Sequence, residues 1–148
     1  MRFLLCFNGS RPIICGQGRN QEANMETIVA DKAPPAIGPY CAGKRVGDQI
    51  WCSGQTAWDP VAGRLVSEDI GEQTKKTIEN LKAVLEAAGS SLDKVFKCTV
   101  YMTDLSEFAA MNAAYAEMFG SNRPARACVG VATLLKGARV EIDCVAEA

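Results

Sequence analysis

Two hydrophobic periodicities follow one another in the middle of the chain, and together they require a fold that packs helices on a sheet. From about residue 69 to residue 88, apolar side chains recur at helical spacing, and Gly89 ends the pattern. The next segment, KVFKCTVYM at 94–102, alternates between apolar and polar residues as a half-exposed strand does. The apolar face of this strand is predicted to carry Phe96, Cys98, Val100 and Met102.

The remaining elements complete an α+β pattern. Further strands are predicted at about 41–46, 49–54, 125–133 and 139–146. A second helix is predicted to begin after Ser106 as its N-cap and to end at Gly120. This order predicts one sheet with two helices packed on one of its faces. The other face needs a cover, and with so few helices the simplest cover is a second copy of the protein.

The chain of 148 residues is expected to form one domain, preceded by a segment of different character. Residues 1–24 contain three arginines, no acidic residue before Glu22 and no regular period. We interpret them as an N-terminal extension, either a mitochondrial transit peptide or an unstructured or incidental segment. The domain is predicted to span 25–148. No stretch approaches the length of a membrane span, so no membrane association is expected.

Composition and charge exclude several classes of function. The net charge is -1, and no basic stripe is interleaved with aromatic residues, so nucleic-acid binding has little support. The chain has no histidine, which removes imidazole-based hydrolysis and most catalytic zinc sites. Seven cysteines without a C-x-x-C pair favour a reducing compartment, and we expect a cytoplasmic protein, with mitochondria as the alternative.

Two charged residues within the last two predicted strands are the first candidates for chemistry. Arg126 precedes the apolar run ACVGVATLL, where it could form a structural ion pair or act as a fork that accepts a substrate carboxylate. Glu141 alternates with apolar residues, so it points away from them, either as a glutamate on a solvated face or as a functional carboxylate. A hairpin turning at Lys136 and Gly137 would pair Glu141 with Ala132 and put it roughly 20 Å from Arg126. The two side chains are then either unrelated or meet across a subunit boundary.

Further candidates are weaker when each is taken alone. Asn112 lies on the apolar side of the second helix, as a satisfied core amide or as a ligand contact. Cys128 shares the face of Arg126 and is expected to pack as a small hydrophobic residue. Tyr40 closes the proline-rich segment APPAIGPY as an interface contact or a pocket wall, and Gly54 in the segment CSGQ, after Ser53, indicates a close backbone approach.

Taken together, these segments resemble the RidA family of reactive-intermediate deaminases, also called YjgF-like proteins. The resemblance rests on AIGPY, SGQ, NLKAVLEAAG, KCTVYMTDLSEFAAMNAAY, RPARAC and KGARVEIDCVA. It extends from about Met25 to Ala146. One departure is TLLKGA, in which Leu135 stands where the family usually has proline.

The resemblance implies a chorismate-mutase-like α+β fold with one mixed sheet and two helices on one face, assembled as a homotrimer with clefts between subunits. It implies hydrolysis of reactive imines and enamines, such as 2-iminobutanoate, 2-iminopropanoate or 2-aminoacrylate, to 2-oxo acids and ammonia, with no metal or organic cofactor. Arg126 matches the arginine that binds the substrate carboxylate, and Glu141 matches the glutamate that polarises the attacking water. The matching cleft positions are Tyr40, Ser53, Gly54, Asn112 and, through its backbone, Cys128.

The alternative function is a trimeric module that binds a ligand or a protein with little catalysis, because family members are credited with translation inhibition, RNA cleavage or chaperone-like roles. The presence of both Arg126 and Glu141 favours the enzyme. Ribonuclease activity ranks third, because the chain lacks histidine and has a net charge of -1.

Overall fold

The computed structural model describes residues 25–148, which form a six-stranded mixed sheet with two helices on one face. The strands are β1 (Met25–Ile28), β2 (Gly43–Val46), β3 (Gln49–Thr56), β4 (Trp58–Asp59), β5 (Arg64–Leu65), β6 (Val95–Met102), β7 (Ala125–Gly130) and β8 (Val140–Glu147). The helices are α1 (Ile70–Ala87) and α2 (Phe108–Phe119). The main sheet has the order β1-β2-β3-β8-β6-β7, and β4 pairs only with β5. The predicted fold class is confirmed, whereas the extension predicted at 1–24 lies outside the described residues.

The core lies between the sheet and the two helices. The predicted stripe of α1 is buried there, with Ile78, Leu81 and Leu85 fully inaccessible to solvent. Burial of each such side chain contributes about 1.5–3 kcal/mol relative to leaving it exposed. Asp69 begins the helix by accepting a hydrogen bond from the backbone N–H of Glu72.

Three details of the predicted elements are wrong. Strands β1, β4 and β5 were not predicted, because each is too short to give a sequence pattern of its own. Phe96 does not share the core face of β6, because the register shifts between Val95 and Lys97 and Val95 is buried in its place. A 3-10 turn over Leu105–Glu107 precedes α2, and the cap of that turn is Asp104, whose side chain accepts from the N–H of Ser106.

The predicted hairpin between the last two strands is also wrong. β7 pairs in parallel with β6 because the chain crosses over through α2 between them. β8 then pairs with the other side of β6 and, on its second edge, with β3. Glu141 therefore lies opposite Tyr101 and Thr56 in the sheet, and Ala132 is not its partner.

The face of the sheet opposite the helices has no cover within the described residues. It exposes large apolar side chains, among them Trp51 and Val129, which are 52% and 42% exposed. Among residues 25–148, neither α1 nor α2 combines the length and the hydropathy that crossing a bilayer requires.

Candidate functional site

The seven candidate residues fall into two groups in the fold. Tyr40, Ser53, Gly54 and Glu141 line one cavity of about 440 Å³, which we call the Glu141 pocket. The other three, Asn112, Arg126 and Cys128, lie where α2 packs against the edge strand β7, and we call this the Arg126 edge. The chain therefore places the Arg126 guanidinium and the Glu141 carboxyl group in two separate half-sites.

Gly54 determines where the carboxylate of the Glu141 pocket lies. The register of β3 against β8 shifts between Cys52 and Gln55, so a bulge containing Gly54 lies beside Glu141. A Cβ atom built on Gly54 would overlap the carboxylate and would lie 2.9 Å from its carboxyl carbon. Only a glycine leaves room for Glu141 in this position, which agrees with the close backbone approach predicted from CSGQ.

The surroundings of Glu141 favour its protonated form. Its side chain is half-buried, and this burial raises its pKa above the usual value for glutamate. The negative charge of Asp143, two residues along the same strand face, raises the pKa further. A carboxyl group in such a place can accept a proton from water and later release it.

Ser53 and Tyr40 fix the proline-rich segment over the pocket. The Ser53 hydroxyl donates to the carbonyl of Cys41 at 2.7 Å, and its backbone N–H donates to the carbonyl of Ala42 at 2.9 Å. The Tyr40 hydroxyl accepts from the backbone N–H of Ile37 at 3.3 Å, and half of the tyrosine surface stays exposed. The segment thus forms an apolar wall with a phenol and a hydroxyl at its edge.

Trp58 and Lys136 form the wall on the far side of the Glu141 pocket. The ammonium of Lys136 lies 3.2 Å from the centroid of the Trp58 ring, a cation–π contact. Asn80 of α1 holds this wall, because its amide donates to the carbonyls of Thr56 and Trp58, both at 2.9 Å. Neither Trp58 nor Asn80 was predictable as a site residue, because a tryptophan next to a turn sequence and a polar residue within a helix are both common in proteins without a binding role there.

The guanidinium of Arg126 is held by three side chains of α2. It donates to Oδ1 of Asn112 at 2.7 Å, and its central carbon lies 4.5 Å from the ring centroid of Tyr115 and 5.7 Å from that of Phe108. Within residues 25–148 it makes no ion pair with a carboxylate. The structural ion pair considered from the sequence is therefore not present there, and the guanidinium keeps its charge available for a ligand.

The Asn112 amide and the Cys128 thiol complete the Arg126 edge. Asn112 is half-buried, and its contact with Arg126 satisfies the amide oxygen. The Cys128 sulfur lies 3.8 Å from that of Met102, and burial raises the pKa of its thiol above the ordinary value. A neutral thiol is a poor nucleophile, so the expected packing role agrees with its surroundings.

Arg126 and Glu141 cannot act on the same small molecule within one chain. Arg126 lies opposite Cys98, which is fully buried, so it points to the helix side of the sheet. Glu141 lies opposite Tyr101, whose side chain points to the other side. The predicted separation of Arg126 and Glu141 relied on a hairpin that the structure does not contain. The two side chains are separated instead because they lie on opposite faces of the sheet.

The five cysteines described in residues 25–148 are free, and three of them adjoin across the core. Cys52, Cys144 and Cys98 are neighbours on β3, β8 and β6, and burial raises the pKa of the Cys98 thiol to about 11. In the part of the chain that is described, no three His, Cys, Asp or Glu residues are grouped so as to hold a metal ion.

A family model described as endoribonuclease L-PSP matches residues 30–148 of the chain. A RutC family protein from Pyrococcus abyssi is 49% identical over 121 residues, which cover 82% of this chain and 95% of the relative. Two relatives are named 2-iminobutanoate/2-iminopropanoate deaminase. The one from Salmonella typhimurium is 42% identical and covers 82% of this chain and 96% of its own length. The relative from Homo sapiens is 44% identical over a region that covers 80% of this chain and 87% of the relative.

Solved structures of similar proteins have the same fold. RidA from an Antarctic Psychrobacter bacterium superposes with a TM-score of 0.79 at 42% sequence identity, covering 83% of this chain and 99% of that one. Escherichia coli TdcF, solved with bound serine, superposes with a TM-score of 0.78 at 36% sequence identity. The superposition covers 83% of this chain and 98% of TdcF.

Proposed function

The chain belongs to the endoribonuclease L-PSP family, which includes the RidA proteins, and from this we propose that it is a 2-iminobutanoate/2-iminopropanoate deaminase. It would hydrolyse reactive imines and their enamine tautomers to 2-oxo acids and ammonia. One observation carries the proposal: residues 25–148 present a guanidinium that makes no ion pair with any carboxylate among them, and a half-buried carboxylate with a raised pKa. These are the two groups that an imino acid and its attacking water require.

The two half-sites become one site when copies of the chain assemble. We propose a homotrimer in which the Arg126 edge of one subunit faces the Glu141 pocket of its neighbour. The uncovered sheet face, with Trp51 exposed on it, supports assembly because exposed apolar surface favours burial. Each cleft would then contain one guanidinium and one carboxylate from different chains.

Arg126 is proposed to bind the substrate carboxylate. Its guanidinium can donate two parallel hydrogen bonds to a carboxylate, and its contacts with Asn112 and Tyr115 already fix its position. A guanidinium that is fixed in this way holds the imine carbon of the bound substrate in one orientation. This removes most of the entropy cost of bringing the imine carbon and the attacking water together.

Glu141 is proposed to hold and activate the attacking water. The carboxylate accepts a proton as the water oxygen bonds to the imine carbon, and the π electrons of the C=N bond move to nitrogen. Return of that proton to the nitrogen gives an amino group on the tetrahedral adduct. Glu141 then transfers the hydroxyl proton of the adduct to this nitrogen, the C–N bond breaks as the C=O bond forms, and the products are a 2-oxo acid and ammonia. No cofactor is needed, because the imine carbon is already electrophilic.

The first experiment generates 2-iminobutanoate in place with a threonine dehydratase and follows the decay of imine absorbance and the release of 2-oxobutanoate. Wild type should accelerate the decay, and Arg126→Ala should lose at least about a hundredfold in kcat/KM, as expected for the loss of two charged hydrogen bonds to the substrate carboxylate. Arg123→Ala is the matched control, because Arg123 is exposed and its side-chain hydrogen bonds within residues 25–148 go to the backbone carbonyls of Gly120 and Asn122.

If the folded wild type does not accelerate the decay, the deaminase proposal fails for this substrate class, and the cleft is better regarded as a binding site. The endoribonuclease named by the family model would then be tested by a gel shift with RNA at several salt concentrations. A net charge of -1 and the absence of histidine argue against that activity.

A further inference from the structure

Three ionisable side chains lie together on the sheet face that carries Glu141. Glu141 and Asp143 are two residues apart on β8, so both point away from the helices. Tyr101 of β6 lies directly opposite Glu141 in the antiparallel register. Its hydroxyl reaches diagonally and donates to Oδ2 of Asp143 at 3.1 Å. Asp143 is therefore held in place beside the carboxylate that we assign to catalysis.

The other elements packed around Glu141 present few charges to it. β3 contributes Ser53, Gly54 and Thr56, none of which carries a charge. The Lys136 ammonium, which lines the same pocket, lies over the Trp58 ring, and the Tyr40 phenol stands at the rim. Burial is the larger cause of the raised pKa of the Glu141 carboxyl group, and the negative charge of Asp143 is the second cause. Burial, and after it the Asp143 carboxylate, raises the pKa of Tyr101, which keeps its hydroxyl protonated as a donor.

We propose that Asp143 is a positioning residue for Glu141, and that the Tyr101 hydroxyl holds the Asp143 carboxylate where its negative charge acts on Glu141. This inference rests on the proposed function, in which Glu141 takes a proton from water and returns it to the substrate nitrogen. A nearby negative charge makes Glu141 a stronger base. The bond from Tyr101 prevents the Asp143 side chain from turning towards solvent, where water would screen its charge.

The direct test is a carboxyl carbon NMR titration of the full-length protein labelled in its glutamate side chains. Glu141→Gln identifies the signal by removing it. In Asp143→Asn the midpoint of the Glu141 titration should fall by about 0.5–1 pH unit, as expected for loss of a like charge roughly 7 Å away in a partly solvated site. Asp143→Glu keeps the charge and should return the midpoint towards wild type.

Glu147→Gln is the matched control. Glu147 lies on the same strand and the same face as Glu141, six residues further on, so its charge is roughly 20 Å away and is screened by salt. Its removal should leave the midpoint unchanged. An unchanged midpoint in folded Asp143→Asn would overturn the proposal. If that variant does not fold, Tyr101→Phe takes its place: a lower midpoint is expected, and an unchanged one overturns the proposal.

The pH dependence of imine hydrolysis gives the second measurement. Since the ionised form of Glu141 is the base, the acidic limb of the kcat profile should move to lower pH in Asp143→Asn by the same amount as the NMR midpoint. An acidic limb that stays in place while the midpoint moves would overturn the link to catalysis. A wild type that shows the NMR coupling but no hydrolysis would instead refute the proposed function, so the two failures are distinguishable.

Discussion

Mixing two inactive variants should restore activity, because the proposed cleft takes its two charged groups from different subunits. Arg126→Ala removes the carboxylate-binding group and Glu141→Gln removes the base, so each variant alone should be inactive. In an assembly that contains both, some clefts receive Arg126 from a Glu141→Gln subunit and Glu141 from an Arg126→Ala subunit. Those clefts are complete.

The geometry of the fold excludes a complete site within one chain. β6 separates β7 from β8, so the two strands are roughly 10 Å apart. Tyr101 lies opposite both Val129 and Glu141, and Arg126 is three residues before Val129, which adds roughly 10 Å along the strand. The Cα atoms of Arg126 and Glu141 are then roughly 14 Å apart, with their side chains on opposite faces, whereas a four-carbon imino acid is only about 5 Å long.

The composition of the mixed trimers also sets the size of the effect. Each trimer that contains both variants has one complete cleft out of three, so about one third of the wild-type activity should return. The variants would be co-expressed with different affinity tags, purified through both tags in turn, and assayed for 2-oxobutanoate release. Mixed assemblies as inactive as the parents would refute the shared cleft, and a hydrodynamic mass near that of a monomer would refute it independently.

The remaining predictions concern four single residues of the two half-sites. Asn112→Ala removes the acceptor that orients Arg126, so KM should rise by about tenfold while kcat falls less. Cys128→Ala should retain activity within about twofold in the same assay, because the thiol only packs. Gly54→Ala should lower kcat by at least about tenfold with an unchanged circular dichroism spectrum, because the new methyl group displaces the carboxylate; full activity would contradict the close approach. Glu141→Gln should raise Tm by about 1–3 °C at pH 7, because the folded-state pKa lies above the unfolded one and the ionised carboxyl therefore costs stability. That gain should vanish as the pH falls below about 4.3, where both states are protonated, and a gain that persists at low pH would contradict the cause.

The helices and long strands were predictable because each depends on local periodicity. The α1 stripe, the alternation of β8 and the glycine that ends α1 were all read correctly from residues close in sequence. Failures occurred where a single residue changed the local pattern. The bulge that exposes Phe96 adds one residue to β6, and alternation cannot reveal such an insertion.

The pairing of the last two strands shows the limit of sequence proximity. A short connection at Lys136 and Gly137 suggests a hairpin, but α2 delivers β7 to one side of β6, and β8 fills the place between β6 and β3. Strand order depends on which buried faces match over the whole sheet, and a turn signal carries no information about that match. The consequence for the site is large, because the observed order places Arg126 and Glu141 on opposite faces.

The sequence by itself determined the α+β class and the alternation that turns Glu141 away from the core, and it indicated a close backbone approach at Gly54, since each follows from the chemistry or spacing of adjacent residues. Only the tertiary structure decided that Gly54 adjoins the Glu141 carboxylate, that Asn112 and Tyr115 hold the Arg126 guanidinium, and that Tyr101 reaches Asp143. The physical reason is that these contacts join elements far apart in the chain. Their geometry depends on strand register and helix packing, which are set by burial over the whole core.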